Sequence, residues 1–169
     1  MATYEKSLDK TTIIQKNRFD KPHLPDEKER IEKMNGKIFI PKHPINSRVN
    51  AFYPKRNEVM SLGMSRSIGD NPHTKIGVIA EPIIDVLNID DLIEKYGPSV
   101  NFFVVSSSDG LYDHRKPEFI AAHFAKSFFV DEEYPSIESG KIIDLATPQA
   151  KDTKRYFDDI TIMALRIVV

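Results

Sequence analysis

Two short acidic stretches are the parts of this chain best suited to chemistry. One is Ser106-Ser107-Ser108-Asp109-Gly110-Leu111-Tyr112-Asp113, and the other is Asp158-Asp159-Ile160-Thr161-Ile162. Carboxylates fixed at the ends of rigid strands suit a hard divalent cation, which takes oxygen ligands. The plainer reading of Asp109-Gly110 is a turn that links a strand to a helix, since Asp-Gly is a common turn signal. Arg66, in Ser65-Arg66-Ser67-Ile68-Gly69-Asp70, is a further candidate. Its guanidinium either forms a buried ion pair with Asp70 or meets a phosphate bidentately, and the ion pair is the simpler reading. Other chemistries lack their residues. There is no cysteine for a thiolate zinc site, no Gly-rich phosphate loop, no His-Glu-x-x-His and no Gly-x-Ser-x-Gly.

The elements flanking these acids can be read from residue pattern. Phe102–Val105 is a continuous run of aromatic and β-branched residues, which predicts a strand buried on both faces and ending at the serines. Ile160–Val169 is nearly all apolar and predicts a long central strand, with Asp158-Asp159 at its start. If these two strands are antiparallel neighbours, Asp109 and Asp158 come to one edge of a sheet. Residues 1–20 are mostly polar, with a weak strand candidate at Thr11–Ile14. Helices are expected over Asp26–Met34, Ile89–Tyr96, Pro117–Val130 and Ser136–Ala146, with Pro148 ending or kinking the last. Acidic residues in the first turn of the Asp26 helix complement its dipole. His123, on the apolar face of the third helix, reads as a packed histidine. Further strands are expected at Lys37–Ile40, around Met60–Met64 and at Ile83–Leu87, with a short apolar run at Ile76–Ile79. Pro41–Arg56, with three prolines and the basic residues Lys42, Arg48, Lys55, Arg56 and His43, reads as an irregular basic surface loop. Its functional reading is contact with an anionic partner or substrate.

Composition sets the outer limits. The chain has 169 residues, 40% of them apolar and 29% charged, which predicts one soluble domain with a real core. A formal net charge of −1 gives no overall field toward nucleic acid or an acidic membrane surface. No apolar stretch approaches the roughly 18 residues needed to span a bilayer, and the amino terminus has no secretory apolar core. Cytoplasm or nucleus is therefore the expected location.

Taken together, several segments resemble one family. Leu62–Asp70 resembles the L-A-V-S-R-A-L-G-D segment of the metal-dependent protein serine/threonine phosphatases of the PP2C (PPM) type. Val105–Asp113 resembles their L-A-S-D-G-L-W-D, and Asp158–Ile162 their D-N-I-T-V. Glu27-Lys28-Glu29-Arg30-Ile31 to Gly36 looks like their E-x-x-R-I…G-G, and Ala80-Glu81-Pro82 like their A-E-P. The five segments occur in the family's order across about residues 20–169.

The resemblance implies an α+β fold: a PP2C-like β-sandwich flanked by helices in αββα layers, here a carboxy-terminal half without the amino-terminal strands. It divides the partial domain 1–169 into a flap-like segment, 20–70, carrying the extended basic loop, and 76–169, carrying the sheet, helices and metal-edge strands. It also implies a two-metal Mn2+ or Mg2+ centre, where a metal-activated water hydrolyses phosphoserine or phosphothreonine in a phosphoprotein. On matching positions Asp109 and Asp158 become metal ligands, and Asp113 a candidate for the outer shell or a third metal. Arg66 and Asp70 become supporting residues of the motif beside the flap.

The sequence departs from the family at several points. The family's Asp-Gly-His-Gly-Gly segment, amino-terminal acidic ligand and phosphate-binding arginine have no counterpart. Tyr112 stands for the usual Trp, and Asp159 for Asn. The resemblance thus implies a phosphatase fragment not active alone, completed by an amino-terminal half or partner chain. The alternative is a non-catalytic regulatory binding module.

Overall fold

The computed structural model describes residues 1–147 and 158–168. They form two compact units. The first comprises Met1–Lys16 and Leu87–Val169, and the second Asn17–Val86.

The first unit is built on a four-stranded antiparallel sheet. Its strands are β1 (Ala2–Glu5), β2 (Lys10–Ile13), β6 (Val100–Ser107) and β7 (Ile162–Ile167), in the order β2-β1-β6-β7. Helices α5 (Pro117–Phe129) and α6 (Pro135–Ala146) supply its core. Phe103, Leu111, Ile120, Phe124 and Ile142 are fully buried there with Tyr4, whose ring stacks on Phe129. Pro117 and Pro135 each open a helix where a missing amide hydrogen costs little. α3 (Ile89–Tyr96) is capped by Asn88, whose side chain accepts from the Asp90 amide. His123 packs on Phe119, with Nδ1 3.0 Å from the buried Glu138 carboxylate.

The second unit is an antiparallel meander of β3 (Lys37–Phe39), β4 (Arg48–Tyr53) and β5 (Glu58–Leu62). One face of this sheet packs on α1 (Pro25–Lys33): Ile31, Val49 and Val78 form a buried cluster with Ile38, Leu62 and Ile76. Gly77 passes so close to α1 that an added Cβ would lie 2.7 Å from the Ile31 Cα. Its φ of +98° also favours glycine.

The α+β class and the antiparallel sheets with flanking helices agree with expectation, and β6 and β7 are indeed antiparallel neighbours. Four local expectations change. Ala2–Glu5 is a strand, almost wholly buried despite its polar composition, because it lies between β2 and β6. The presumed basic loop contains β4: Val49 and Ala51 alternate inward while Arg48 and Phe52 stand out, and Pro41, Pro44 and Pro54 all lie outside the strand. Ile83–Leu87 is exposed chain without strand pairing among the described residues. The carboxy-terminal strand is only Ile162–Ile167 and lies at the sheet edge among the described residues. Met163, Leu165 and Val168 are 68%, 58% and 82% exposed. Pro148 lies outside the described residues, and α6 ends at Ala146.

Candidate metal centre

The end of β6 is stitched to the approach of β7 by Ser108. Its amide donates to the Thr161 carbonyl (3.0 Å), and its Oγ donates to the Asp159 carbonyl (2.9 Å) while accepting from the Thr161 amide (3.0 Å). The serine hydroxyl is thereby taken from capping α4 (Asp109–Tyr112), a single helical turn, and spent across the sheet. Gly110 completes the close approach, since a Cβ there would lie 2.7 Å from the Asp159 carbonyl oxygen and 3.1 Å from that of Asp158. Asp109 sits between these two residues, so the antiparallel pairing brings Asp109 and Asp158 to one edge of the sheet.

Both carboxylates are exposed. Asp158 Oδ1 accepts from the Asp159 amide at 2.9 Å. The Asp109 and Asp113 side chains have no partner among the described residues. Asp113 closes α4, its amide donating to the Asp109 carbonyl (2.9 Å), and spacing of four residues puts both acids on one side of the turn. No group of three or more His, Cys, Asp or Glu able to hold a metal occurs among the described residues. Asp109 and Asp158 by themselves offer carboxylate oxygens only, the donor type that suits a hard divalent cation. A Mg2+ site commonly uses one or two protein carboxylates and leaves other positions to water and phosphate.

Arg66 and Asp70 lie in the second unit and do not pair with each other. Asp70, with φ +48°, accepts from Ser67 Oγ at 2.5 Å. Arg66 instead donates through Nε (3.0 Å) and Nη2 (2.6 Å) to Glu27, and through Nη1 (2.6 Å) to the Glu81 carbonyl. Glu27 is fully buried and also accepts from Arg18 (2.7 Å) and Arg30 (2.5 Å). Arg30 reaches on to the carbonyls of Gly77 and Ser65, both at 2.9 Å. Burial pushes the Glu27 carboxyl up, but hydrogen bonds from Arg30, Arg66 and Ser65 outweigh it and hold the group at about 2.

A cleft of about 270 Å3, lined in part by Arg18, Asp20, Arg66, Ser67 and Asp85, opens beside this cluster. Its two arginines are already engaged with carboxylates, so their charge is balanced internally. Sequence reasoning read Glu27 as a helix-start acid and as the first residue of the E-x-x-R-I segment, not as the hub of an arginine cluster. The available signal was its position in the first turn of α1, three residues before Arg30.

Comparison with known proteins adds an independent line. The sequence profile of the family described as "Protein phosphatase 2C" matches residues 8–154. Over 118 residues the chain is 33% identical to an Arabidopsis thaliana protein named "Probable protein phosphatase 2C 61", covering 69% of this chain and 33% of that protein. Over 94 residues it is 34% identical to the Oryza sativa subsp. japonica "Probable protein phosphatase 2C 14", covering 55% of this chain and 16% of that one. The crystal structure of serine-threonine phosphatase 2C from Toxoplasma gondii shares the fold, with a TM-score of 0.68 at 17% identity. The match covers 98% of this chain and 50% of that chain. The chain thus spans half or less of the length of each of these proteins. No helix among the described residues is long and apolar enough to cross a membrane. With a profile match across most of its length, the chain belongs to the protein phosphatase 2C family.

Proposed function

We propose that this chain supplies one acidic edge of a Mn2+- or Mg2+-dependent centre that hydrolyses phosphoserine or phosphothreonine in phosphoproteins. Asp109 and Asp158 are the metal ligands, and Asp113 is an outer-shell or third-metal residue. The observation carrying this reading is the antiparallel pairing of β6 and β7, with Ser108 and Gly110 pressed against residues 158–161. A divalent ion held there supplies Lewis-acid polarisation of a phosphoryl group and a water acidic enough to attack it at neutral pH.

The chain's own residues do the positioning. Ser108 fixes the spacing of the two acid-bearing segments, and Gly110 permits their approach. Arg66 and Asp70 are positioning residues that hold the 62–70 segment, Arg66 through Glu27 and Asp70 through Ser67. Residues 20–70 act as a flap-like segment, and 76–169 carry the sheet, helices and acidic edge. The missing phosphate-binding arginine and amino-terminal acid come from an amino-terminal half of the domain, without which the chain does not turn over.

Manganese binding tests the site without activity. Mn2+ binding followed by electron paramagnetic resonance should be weak, in the ~millimolar range expected for few protein ligands. Asp109→Asn and Asp158→Asn should each weaken it further while leaving circular dichroism unchanged. Binding indifferent to both substitutions refutes the assignment. Adding an amino-terminal half should tighten Mn2+ binding and restore metal-dependent phosphate release from a phosphothreonine peptide. A binding-only module would instead remain without turnover in the reconstituted complex.

A further inference from the structure

The outward face of the β3-β4-β5 sheet has a composition that the phosphatase reading does not use. Strand register puts Lys37, Phe39, Arg48, Asn50, Phe52, Val59 and Ser61 on that face, opposite the one covered by α1. Phe39, Phe52 and Val59 are 59%, 54% and 64% exposed. The face carries no acidic residue: Glu58 pairs in register with Tyr53 and belongs to the other side. Lys37 and Arg48 are exposed and have no acidic partner among the described residues. The Arg48 guanidinium lies beside Gly63, near enough that an added Cβ there would sit 3.6 Å from Nη1.

More positive charge stands at both ends of the sheet. The β3–β4 connection carries Lys42, and the β4–β5 turn carries Lys55 and Arg56. Lys42 and Lys55 also lack an acidic partner among the described residues, while Arg56 lies 3.6 Å from Glu58. This contrasts with α1 on the opposite face, where Lys28 and Lys33 each pair with a glutamate four residues away.

We infer that this face docks an acidic peptide segment of a partner protein, laid along β4 with acidic side chains toward Lys37 and Arg48 and apolar ones on Phe39, Phe52 or Val59. Complementary charge favours that occupant, and an extended peptide turns every second side chain toward the face beneath it, at about the spacing of the strand residues there. Nucleic acid is less suited. Phe39 lies on β3 opposite Arg48, and Phe52 lies four positions further along the central strand β4, so the two rings do not form a platform for successive bases. This inference does not depend on a metal centre, and its test uses binding alone.

The test is fluorescence anisotropy of the full chain with a fluorescein-labelled peptide of repeating Glu-Ser-Leu-Ser, whose Glu and Leu share one face when extended. A Lys37→Glu/Arg48→Glu double variant should bind at least about tenfold more weakly. Phe39→Ala and Phe52→Ala should also weaken binding at unchanged net charge. A Lys6→Glu/Lys126→Glu variant, with the same change in net charge on the other unit, should bind as the parent does. Circular dichroism checks that each variant folds. Affinity should fall as salt shortens the Debye length from about 10 Å at 0.1 M to about 3 Å at 1 M. No binding by the parent, equal loss in the two double variants, or tighter binding of a single-stranded RNA oligonucleotide of equal charge would each overturn the proposal.

Discussion

Replacing Glu27 with glutamine removes one negative charge from the centre of the second unit and leaves Arg18, Arg30 and Arg66 facing a neutral amide. The folded carboxyl is held at about 2, against 4.5 ordinarily, so its charged form contributes roughly 3 kcal/mol. Because the folded value is depressed, this stability is fully present above about 4.5 and is lost as pH falls toward 2. Removing one partner of a buried ion pair costs about 3–5 kcal/mol. Here the arginine side chains keep 35%, 24% and 17% exposure, so water partly replaces the lost partner and the lower end applies.

For a small protein the urea slope is about 1–3 kcal/mol per molar, so the unfolding midpoint of Glu27→Gln should drop by roughly 1–3 M. Hydrogen exchange read by mass spectrometry should place the loss in peptides from 17–86, sparing those from 1–16 and 87–147. Repeating the melts between pH 4.5 and 2 adds the sign. The parent should lose its advantage over the variant across that window. Asp26 and Glu118 are also held below the usual carboxylate range, by hydrogen bonds from Arg18 and Lys16. Glu118, in the other unit, cancels in the difference, whereas Asp26 shares Arg18 with Glu27 and keeps that partner in the variant. An unchanged urea midpoint, or a constant difference across that pH window, would refute the reasoning.

Three further substitutions address the acidic edge and the core. Gly110→Ala places a Cβ 2.7 Å from the Asp159 backbone oxygen, and an overpacked site of this kind costs about 1–3 kcal/mol. A lowered melting temperature and faster exchange at Thr161 are expected, and a variant as stable as the parent counts against the contact. Ser108→Ala removes the hydroxyl that bridges the Asp159 carbonyl and the Thr161 amide. The cost should be about 1 kcal/mol at this partly exposed position, seen mainly as lost protection of the Thr161 amide. Phe124→Ala empties a fully buried site in the first unit and should cost about 3–5 kcal/mol by urea melts. A loss under about 1 kcal/mol would mean that the α5 core collapses to fill the gap.

Legibility in the sequence followed the strength of local signals. The helices near Pro25 and Pro117 were readable because a proline or an acidic first turn marks a helix start, and the one expected from Ser136 begins one residue earlier, at Pro135. β6 was readable because four consecutive apolar residues leave little alternative. β1 was not, since Ala2-Thr3-Tyr4-Glu5 owes its burial to two neighbouring strands, one about a hundred residues away. β4 was hidden among prolines, although its inward Val49 and Ala51 keep the strand period. Ile83–Leu87 shows the converse error: apolar, β-branched composition makes a strand only where a partner edge exists. At the candidate site the sequence pointed to Asp109 and Asp158 as strand-end acids, whereas Asp109 opens α4 just after β6 and Asp158 lies four residues before β7. Arg66 was misread locally, because adjacency favoured Asp70 while its partner, Glu27, lies 39 residues earlier.

That pairing separates two uses of charge in this chain. Glu27 has both oxygens occupied by guanidinium groups and no exposure, so it is committed to joining α1, residues 65–66 and Gly77. Arg66 likewise spends three of its five N–H donors within the protein, which leaves it poorly placed to grip a phosphate. Asp109 and Asp113 are the reverse case, exposed and without a side-chain partner among the described residues. No ion pair among the described residues uses their charge, and two like charges held on one side of a single helical turn repel one another. An external cation would relieve that repulsion, whereas no cation is needed at Glu27. The same contrast says where substitutions should act: at Glu27 and Arg66 they act through stability, and at Asp109 and Asp158 through metal affinity at nearly constant stability.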